Sequence, residues 1–134
     1  MARNSIFIMR GMEPELMFIS PAVRVDEYYG GINAHTMSIA AYNFIGKLTI
    51  QASIKATPTE NDWFGVKIGD AVGINYPRNS IFYTPETSTA TYNFTGRFIW
   101  MRAEIDRTDL LPPMATPADI ARLGIIDRIL VNLG

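Results

Sequence analysis

Few side chains in this sequence could carry acid–base, nucleophilic or metal chemistry, and their spacing selects no site. His35 is the single histidine, and the absence of cysteine excludes a thiolate nucleophile, a disulfide and a thiolate zinc site. A serine–histidine–aspartate triad would have to use His35, yet the chain has no Gly-X-Ser-X-Gly turn to present the serine. A lone histidine beside the start of a strand is typically a surface residue or a hydrogen-bonded one. We therefore expect no catalytic residue and no metal site.

The carboxylates are scattered along the chain rather than paired. There are 13 Asp and Glu residues, and no spacing marks two of them as the acid and base of a glycosidase. The sequence also lacks the Asp-X-Asp-X-Asp-Gly calcium loop and a glycine-rich phosphate loop. We therefore predict a protein that is not an enzyme and that uses no cofactor.

The composition is typical of one small globular domain with few charges. The chain has 134 residues, of which 48% are hydrophobic and 19% charged, and its net charge is −1. A chain of this length buries about two-thirds of its unfolded surface, so we predict a single domain over residues 1–134. The balanced charge provides no basic stripe for nucleic acid, and no apolar run approaches the ~20 residues of a membrane span. The apolar run at residues 5–9 is too short for a signal peptide, which predicts a soluble protein made in a cytoplasm.

Alternation of apolar and polar residues predicts that the chain consists of short strands. Between Lys47 and Lys55 every second side chain is apolar, which is typical of a strand with one buried face. Turn-forming residues separate this segment from several others of the same kind. The further predicted strands are Ser5–Arg10, Leu16–Ser20, Ala22–Val25, Ala34–Phe44, Trp63–Ile68, Ser80–Thr84, Thr89–Phe94 and Arg97–Ile105, with Gly69–Asn75 as a weak strand or a bend.

A ten-residue motif occurs twice in the chain. Residues 38–47 and 88–97 share six identities, including Tyr-Asn-Phe-X-Gly followed by a basic residue. In both copies the aromatics would end one strand, and Gly46 or Gly96 would take a backbone conformation that other residues avoid. A structural repeat and two similar turns of independent origin both agree with this motif, and we favour the repeat. We expect each glycine turn to join two antiparallel strands of one half of the fold.

The C-terminal part of the chain shows a different pattern. Thr116 followed by Pro117 predicts the start of a helix and Gly124 its stop, so a short helix is expected over residues 117–123. Residues 125–133 would either extend this helix or form a final strand, and their β-branched content favours the strand. Together these elements predict an all-β fold. It is an antiparallel jelly-roll-like β-sandwich of about eight to ten strands, with one short helix near the C-terminus.

Several segments resemble a pattern in small β-sandwich proteins of tailed phages. Leu48–Ile54 followed by Asn61–Phe64 is similar to a strand Leu-X-Val-Gln-X-Ser-Leu that leads through a polar loop into Asn-X-Trp-Phe. Phe94–Ala103 is similar to the second half of the same pattern, a strand that ends in Trp-X-Arg-Ala. With a final hydrophobic strand at Asp127–Asn132, the resemblance covers residues 34–134. It implies a galactose-binding-like jelly roll used as a virion component of the head surface, neck or tail.

The larger apolar side chains of the alternating strands are predicted to fill the core of the sandwich. The predicted core residues are Phe44, Leu48, Ile50, Trp63, Phe94, Phe98 and Trp100. Arg102 follows Trp100 by two residues and precedes Glu104 by two, so the three side chains share one face of a strand. We therefore expect Arg102 to be held by stacking on the Trp100 ring and by pairing with the Glu104 carboxylate.

The predicted function is assembly into a larger particle. The strands at residues 5–25 are more apolar than one sandwich face needs, and the loop 107–115 displays apolar groups, so both are candidates for assembly contacts. The candidate interface residues are Tyr28, Tyr29, Leu110, Leu111 and Met114. Under the resemblance, the partners would be other virion proteins and copies of this chain, and the protein would be part of a virion after synthesis in the host cytoplasm. The alternative is a carbohydrate-binding module on the same fold, with Tyr28, Tyr29 and Tyr76 stacking on a glycan.

Overall fold

The chain folds into two antiparallel sheets that pack face to face. The computed structural model describes residues 5–78, 85–108 and 116–134. In chain order the strands are β1 (Ser5–Arg10), β2 (Met17–Ile19), β3 (Val23–Arg24), β4 (Ala34–Phe44), β5 (Gly46–Ser53), β6 (Phe64–Gly65), β7 (Lys67–Ile68), β8 (Ala71–Val72), β9 (Ile74–Tyr76), β10 (Glu86–Thr95), β11 (Trp100–Asp106) and β12 (Ile125–Asn132). A 3-10 turn at Glu60–Asp62 and one α-helix, α1 (Pro117–Ala121), complete the described elements. The predicted all-β sandwich with one short helix near the C-terminus is confirmed.

The strand order shows how the sandwich is built. The first sheet has the order β1-β12-β4-β10, and the second has the order β2-β11-β5-β6. In the second sheet β3 also pairs with β11 and β9 with β5, whereas β7 and β8 form a separate hairpin. The described residues contain twelve strands because the segment predicted as one strand over 63–68 is divided into β6 and β7, and 69–75 contributes the short β8 and β9. The strand predicted over 80–84 lies outside the described residues.

The core lies between the sheets and follows from the alternation of the two central strands of the second sheet. The buried apolar residues of this strand pair are Leu48, Ile50, Ala52, Met101, Ala103 and Ile105. Their counterparts in the first sheet include Met37, Ile39, Ile126, Ile129 and Val131. Fully burying one Leu or Ile side chain stabilises the fold by roughly 1.5–3 kcal/mol. Of the predicted core residues, Phe44, Leu48, Ile50 and Phe94 are buried as expected.

The prediction that Trp63, Phe98 and Trp100 are core residues is wrong. Trp100 lies half-buried on the outer face of the second sheet because Met101 and its alternating neighbours occupy the inner face of β11. Trp63 is half-buried directly after the 3-10 turn. Phe98 lies in the turn before β11 and packs only partly against the core. Alternation shows which residues share a face, but it does not by itself show which face is buried.

The two copies of the repeated motif occupy equivalent positions in the first sheet. β4 and β10, which end in the two copies, are antiparallel neighbours. Ile39 lies opposite Ala90, and the next residue, Ala40, lies opposite Thr89. Because the copies are 50 residues apart, Ile39 corresponds to Thr89 and Ala40 to Ala90. A local two-fold rotation therefore exchanges the two pairs.

The same relation holds in the second sheet. β5 and β11, the strands that follow the two motifs, are also antiparallel neighbours. Gln51 lies opposite Arg102, and Ala52 lies opposite Met101. At the same offset of 50 residues, Gln51 corresponds to Met101 and Ala52 to Arg102, so a local two-fold rotation again converts one pair into the other. The register of both sheets therefore supports a structural repeat with a pseudo-two-fold axis.

The connection at each glycine differs from the prediction. Gly46 and Gly96 do not join strands of one sheet, because β4 and β10 belong to the first sheet and β5 and β11 to the second. Each motif therefore carries the chain across the core from one sheet to the other. Both glycines have positive φ angles, 153° and 115°, which are conformations that residues with a Cβ rarely adopt.

Close packing is a second reason for glycine at position 46. A Cβ atom placed on Gly46 would lie 2.5 Å from Cγ and 2.8 Å from Cδ of Arg107. Arg107 is only 1% exposed, so its side chain has little room to move away. The crossing between the sheets at Gly46 therefore depends on the absence of a side chain there.

The C-terminal segment confirms the predicted helix start and the final strand. The Thr116 hydroxyl accepts a hydrogen bond from the Asp119 amide (3.2 Å), and an Asp119 carboxylate oxygen accepts one from the Thr116 amide (3.1 Å). Gly124 has a φ of 69° and lies against the backbone of Asn43, where a Cβ would collide. Residues 125–132 then pair with both β1 and β4, so they form a strand and do not extend the helix.

We predict that Gly46→Ala lowers the free energy of unfolding by more than about 1 kcal/mol, because the new methyl group adds backbone strain and displaces the buried Arg107. Gly31→Ala is the matched control, since no atom lies within 4 Å of a Cβ at that position. Urea unfolding of both variants checks the prediction. Equal stabilities for the two variants would contradict the packing role of Gly46.

Candidate functional site

A network of aromatic and polar side chains covers the centre of the outer face of the second sheet. Arg102 on β11 donates from Nε to Oε1 of Gln51 on β5, at 2.7 Å. Its guanidinium carbon lies 4.1 Å from the centroid of the Trp63 ring. These contacts leave Arg102 only 8% exposed, so the prediction that this side chain is held is confirmed.

The partners of Arg102 differ from the predicted ones. The stacking ring is Trp63 and not Trp100, because the segment after the 3-10 turn pairs with β5 as β6 and brings the Trp63 ring onto the Arg102 guanidinium. Glu104 joins the network through Gln51, because Nε2 of Gln51 donates a hydrogen bond to Oε2 of Glu104 at 2.9 Å. The acid nearest the guanidinium is Glu60, at 3.4 Å, and the Glu60 side chain is 81% exposed. Such an exposed pair contributes little to stability.

Trp100 and its neighbours extend the same surface. The indole Nε1 of Trp100 donates to the backbone oxygen of Ala56 at 3.1 Å, which ties the loop after β5 to β11. Arg24 on β3 lies 5.8 Å from the Trp100 ring and makes a two-point ion pair with Asp26 at 2.9 Å. The network therefore joins β3, β5, β11 and the segment 56–65 on one outer face.

A second buried arginine fastens the N-terminal link to the C-terminal strand. Arg107 donates from Nε and Nη2 to the backbone oxygen of Glu15, at 3.0 and 2.5 Å, and from Nη1 to that of Gly124, at 2.7 Å. Its guanidinium lies 5.4 Å from the Phe44 ring. Burial lowers the pKa of Arg107 to about 10, because no carboxylate of the described residues compensates its charge. Arg107 therefore holds two distant backbone segments together, a role that the sequence does not predict.

Of the two alternatives expected for the single histidine, the structure shows the hydrogen-bonded one and not the surface one. His35 is 1% exposed and packs between the rings of Tyr29 and Phe94. Its Nε2 donates to the backbone oxygen of Gly96 at 2.7 Å, which stabilises the second glycine turn. His35 has no acidic group or nucleophile as a hydrogen-bond partner among the described residues.

The predicted interface tyrosines pack against the core rather than standing free. Tyr29 is half-buried, and its hydroxyl accepts a hydrogen bond from the Phe98 amide at 2.6 Å. Tyr28 is also half-buried against the core. Tyr76 is only 4% exposed and stacks edge-on against Phe44, so it cannot serve as a sugar platform. The remaining interface candidates, Leu110, Leu111 and Met114, lie outside the described residues.

An accessible apolar surface lies on the side of the sandwich formed by the N-terminal strands. β1 is the edge strand of the first sheet, and β2 and β3 form the corresponding edge of the second. On β2, Met17 and Ile19 are each 41% exposed although both are large apolar side chains. A groove of about 400 Å³ runs between the two edges, lined by residues 6–11 together with Pro21 and Val23. We call these residues, with Met17 and Ile19, the N-terminal side.

The described residues contain no group of three or more metal-ligating side chains. In the same ranges, no helix is long and apolar enough to cross a membrane. Comparison of the chain with protein-family models, with curated proteins and with solved structures finds no match.

We predict that Arg102 and Trp63 are energetically coupled. Replacing either residue with Ala removes the stacked contact at 4.1 Å, so a double-mutant cycle should give a coupling energy of about 0.5–2 kcal/mol. Glu60→Gln is the control, because the exposed Glu60 pair should change stability by less than about 0.5 kcal/mol. Chemical denaturation of the variants provides the measurement, and strictly additive effects of the two alanine substitutions would refute the coupling.

Proposed function

We propose that this chain is a non-enzymatic structural protein of a phage particle, in which it decorates the head or belongs to the neck or tail. It acts through repeated protein–protein interfaces with copies of itself and with other virion proteins. The observation that carries the proposal is the N-terminal side, where two sheet edges, an apolar groove and the exposed Met17 and Ile19 occur together.

The N-terminal side has the properties of an interface centre. Exposed strand edges present unpaired backbone groups, and natural proteins usually protect them with charges or with covering segments. On β2 the outward-facing side chains are instead Met17 and Ile19. A specific interface buries on the order of 800 Å² per partner, with apolar side chains at its centre and polar groups at its rim. The groove and these two residues would supply such a centre.

The phage assignment rests on the sequence resemblance. Three residues that carry the resemblance, Gln51, Trp63 and Arg102, come from three separate segments and contact one another. A shared framework of this kind would explain the similar pattern of residues. From the resemblance we infer that the protein is located in a virion and is made in the host cytoplasm.

We predict that the purified protein self-associates. Sedimentation velocity over a wide range of concentration should show oligomers, and Ile19→Glu should weaken the association about tenfold because it places a charge at the interface centre. Val72→Glu is the matched control, since Val72 is 54% exposed on the β7–β8 hairpin away from β2.

Either of two results would overturn the proposed function. One is a wild-type protein that stays monomeric at all concentrations. The other is binding of a defined glycan on an array, which would instead support the carbohydrate-binding module. If association occurs but Ile19→Glu and Val72→Glu associate equally well, the N-terminal side is not the interface.

A further inference from the structure

We propose that a cavity at the edge of the sandwich opposite the N-terminal side binds a small molecule that combines an aromatic ring with one carboxylate. The cavity is lined by residues 34–36, 64–67 and 93–95 together with Gly69 and Phe98, and we call it the β10–β6 cleft. All of these residues belong to the described part of the chain. The binding activity goes beyond the proposed function and does not depend on assembly.

The β10–β6 cleft lies between the second pair of sheet edges. β10 is the last strand of the first sheet and β6 is the last strand of the second, whereas β1 and β2 lie at the other ends. The Gly69 amide, directly after β7, donates to the backbone oxygen of Asn93 on β10 at 2.9 Å and so joins the two walls. The volume of the cleft is about 570 Å³, which falls within the range of ~300–1,000 Å³ that is typical of ligand sites.

The inner part of the cleft is apolar and aromatic. Val66 and Phe94 are each only 4% exposed, so they form its deepest lining. The ring centroids of Phe64 and Phe98 lie 5.7 Å apart, with the two ring planes at 64°. Phe64 is 40% exposed and therefore accessible to a ligand. An aromatic ring of the ligand would pack against these two rings in the tilted geometry that aromatic groups prefer.

The histidine in the lining offers no polar contact to a ligand. Nε2 of His35 donates to the backbone oxygen of Gly96 at 2.7 Å, and Nδ1 is enclosed without a hydrogen-bond partner among the described residues. A sugar placed in the inner cleft would lose hydrogen bonds to water without replacing them. The inner cleft is therefore suited to an apolar ring and not to a glycan.

The outer part of the cleft is polar and carries one positive charge. Thr36, Asn93 and Thr95 are exposed, and Oγ1 of Thr36 donates to Oδ1 of Asn93 at 3.3 Å. Lys67 is also exposed, and it is the one charged side chain among the described residues that line the cleft. Within the described ranges, no acidic side chain forms an ion pair with Lys67. A carboxylate at this end would complement the Lys67 charge and accept hydrogen bonds from Asn93.

A single ammonium group suits a ligand with one negative charge. Phosphate sites typically use an arginine fork or the N-terminus of a helix. The described lining residues of the cleft include no arginine, and none of them belongs to a helix. A carboxylate is therefore the anion that the cleft fits.

Hydrogen bonds hold the lining residues in place before any ligand binds. The Phe98 amide donates to the Tyr29 hydroxyl at 2.6 Å, and the Val66 amide donates to the backbone oxygen of Ile50 at 2.8 Å. With the bond between Thr36 and Asn93, these contacts fix both walls. A preformed site of this kind loses less conformational entropy on binding than a flexible one.

Nuclear magnetic resonance titration with 3-phenylpropionate tests the proposal. The probe should shift the amide signals of Gly65 and Gly69 in the cleft, with saturation at low-millimolar concentrations, and should leave that of the remote Gly31 unchanged. The neutral analogue 3-phenylpropanamide should bind about threefold to fivefold more weakly, because it lacks the charge that faces Lys67. Absence of saturable shifts at Gly65 and Gly69, or equal affinities for the acid and the amide, overturns the proposal.

Three variants separate the charge from the apolar contact. Lys67→Gln should weaken binding of the acid about threefold to fivefold and leave binding of the amide unchanged. Lys47→Gln is the matched control, because Lys47 is exposed and does not line the cleft, although its loss changes the net charge equally. Phe64→Ala should weaken binding of both probes. If Lys67→Gln and Lys47→Gln have the same effect on the acid, the proposed role of Lys67 is wrong and the proposal fails.

The outcome is independent of the proposed function. Self-association in sedimentation velocity should be the same with and without 3-phenylpropionate, since the β10–β6 cleft and the N-terminal side lie at opposite edges of both sheets. A protein that associates but ignores the probe overturns the cleft proposal and leaves the proposed function standing. A monomeric protein that binds the probe as expected supports the cleft and overturns the proposed function.

Discussion

The antiparallel pairing of two equivalent strand–turn–strand units is the constraint on which the rest of the structure depends. β4 pairs with β10 in one sheet while β5 pairs with β11 in the other, so each unit is hydrogen-bonded to the other at both ends. The glycine crossings at Gly46 and Gly96 make this double pairing sterically feasible. Once the units are paired, their inward-facing residues form the centre of the core, and β12, β1, β2 and β6 add at the sides.

Two arginines fasten the segments that this pairing does not hold. Arg102 joins the segment around Trp63 to the outer face of the second sheet, and Arg107 joins the link before β2 to Gly124. Both are largely buried, and each is held by hydrogen bonds and by an aromatic ring, which makes them part of the framework rather than sites for a ligand. The N-terminal side is different, because it leaves two sheet edges and large apolar side chains accessible. The framework held by the two arginines and the accessible apolar edge of the N-terminal side together favour the proposal that the chain functions in assembly.

Much of the fold could be predicted from the sequence because the local patterns are clear. The limits of β4 follow the predicted strand, and the alternation after Lys47 gives the buried face of β5. The roles of Trp63 and Trp100 could not be predicted from aromatic content, since the inner positions of β11 are taken by smaller apolar residues. The clamp at Arg107 depends on backbone oxygens that are distant in the sequence, so no local motif indicates it. The groove likewise arises only when β1 and β3 are brought to the same side of the sandwich.

Electron cryo-microscopy of the assembled protein tests the central claim most directly, because it shows which surfaces of neighbouring copies touch. We expect neighbouring sandwiches to contact through the N-terminal side, with Ile19 and the groove between β1 and β3 covered by the next copy. Contacts made only by the Trp63 and Trp100 surface or by the β7–β8 hairpin, with Ile19 and the groove open to solvent, would contradict the proposed assembly.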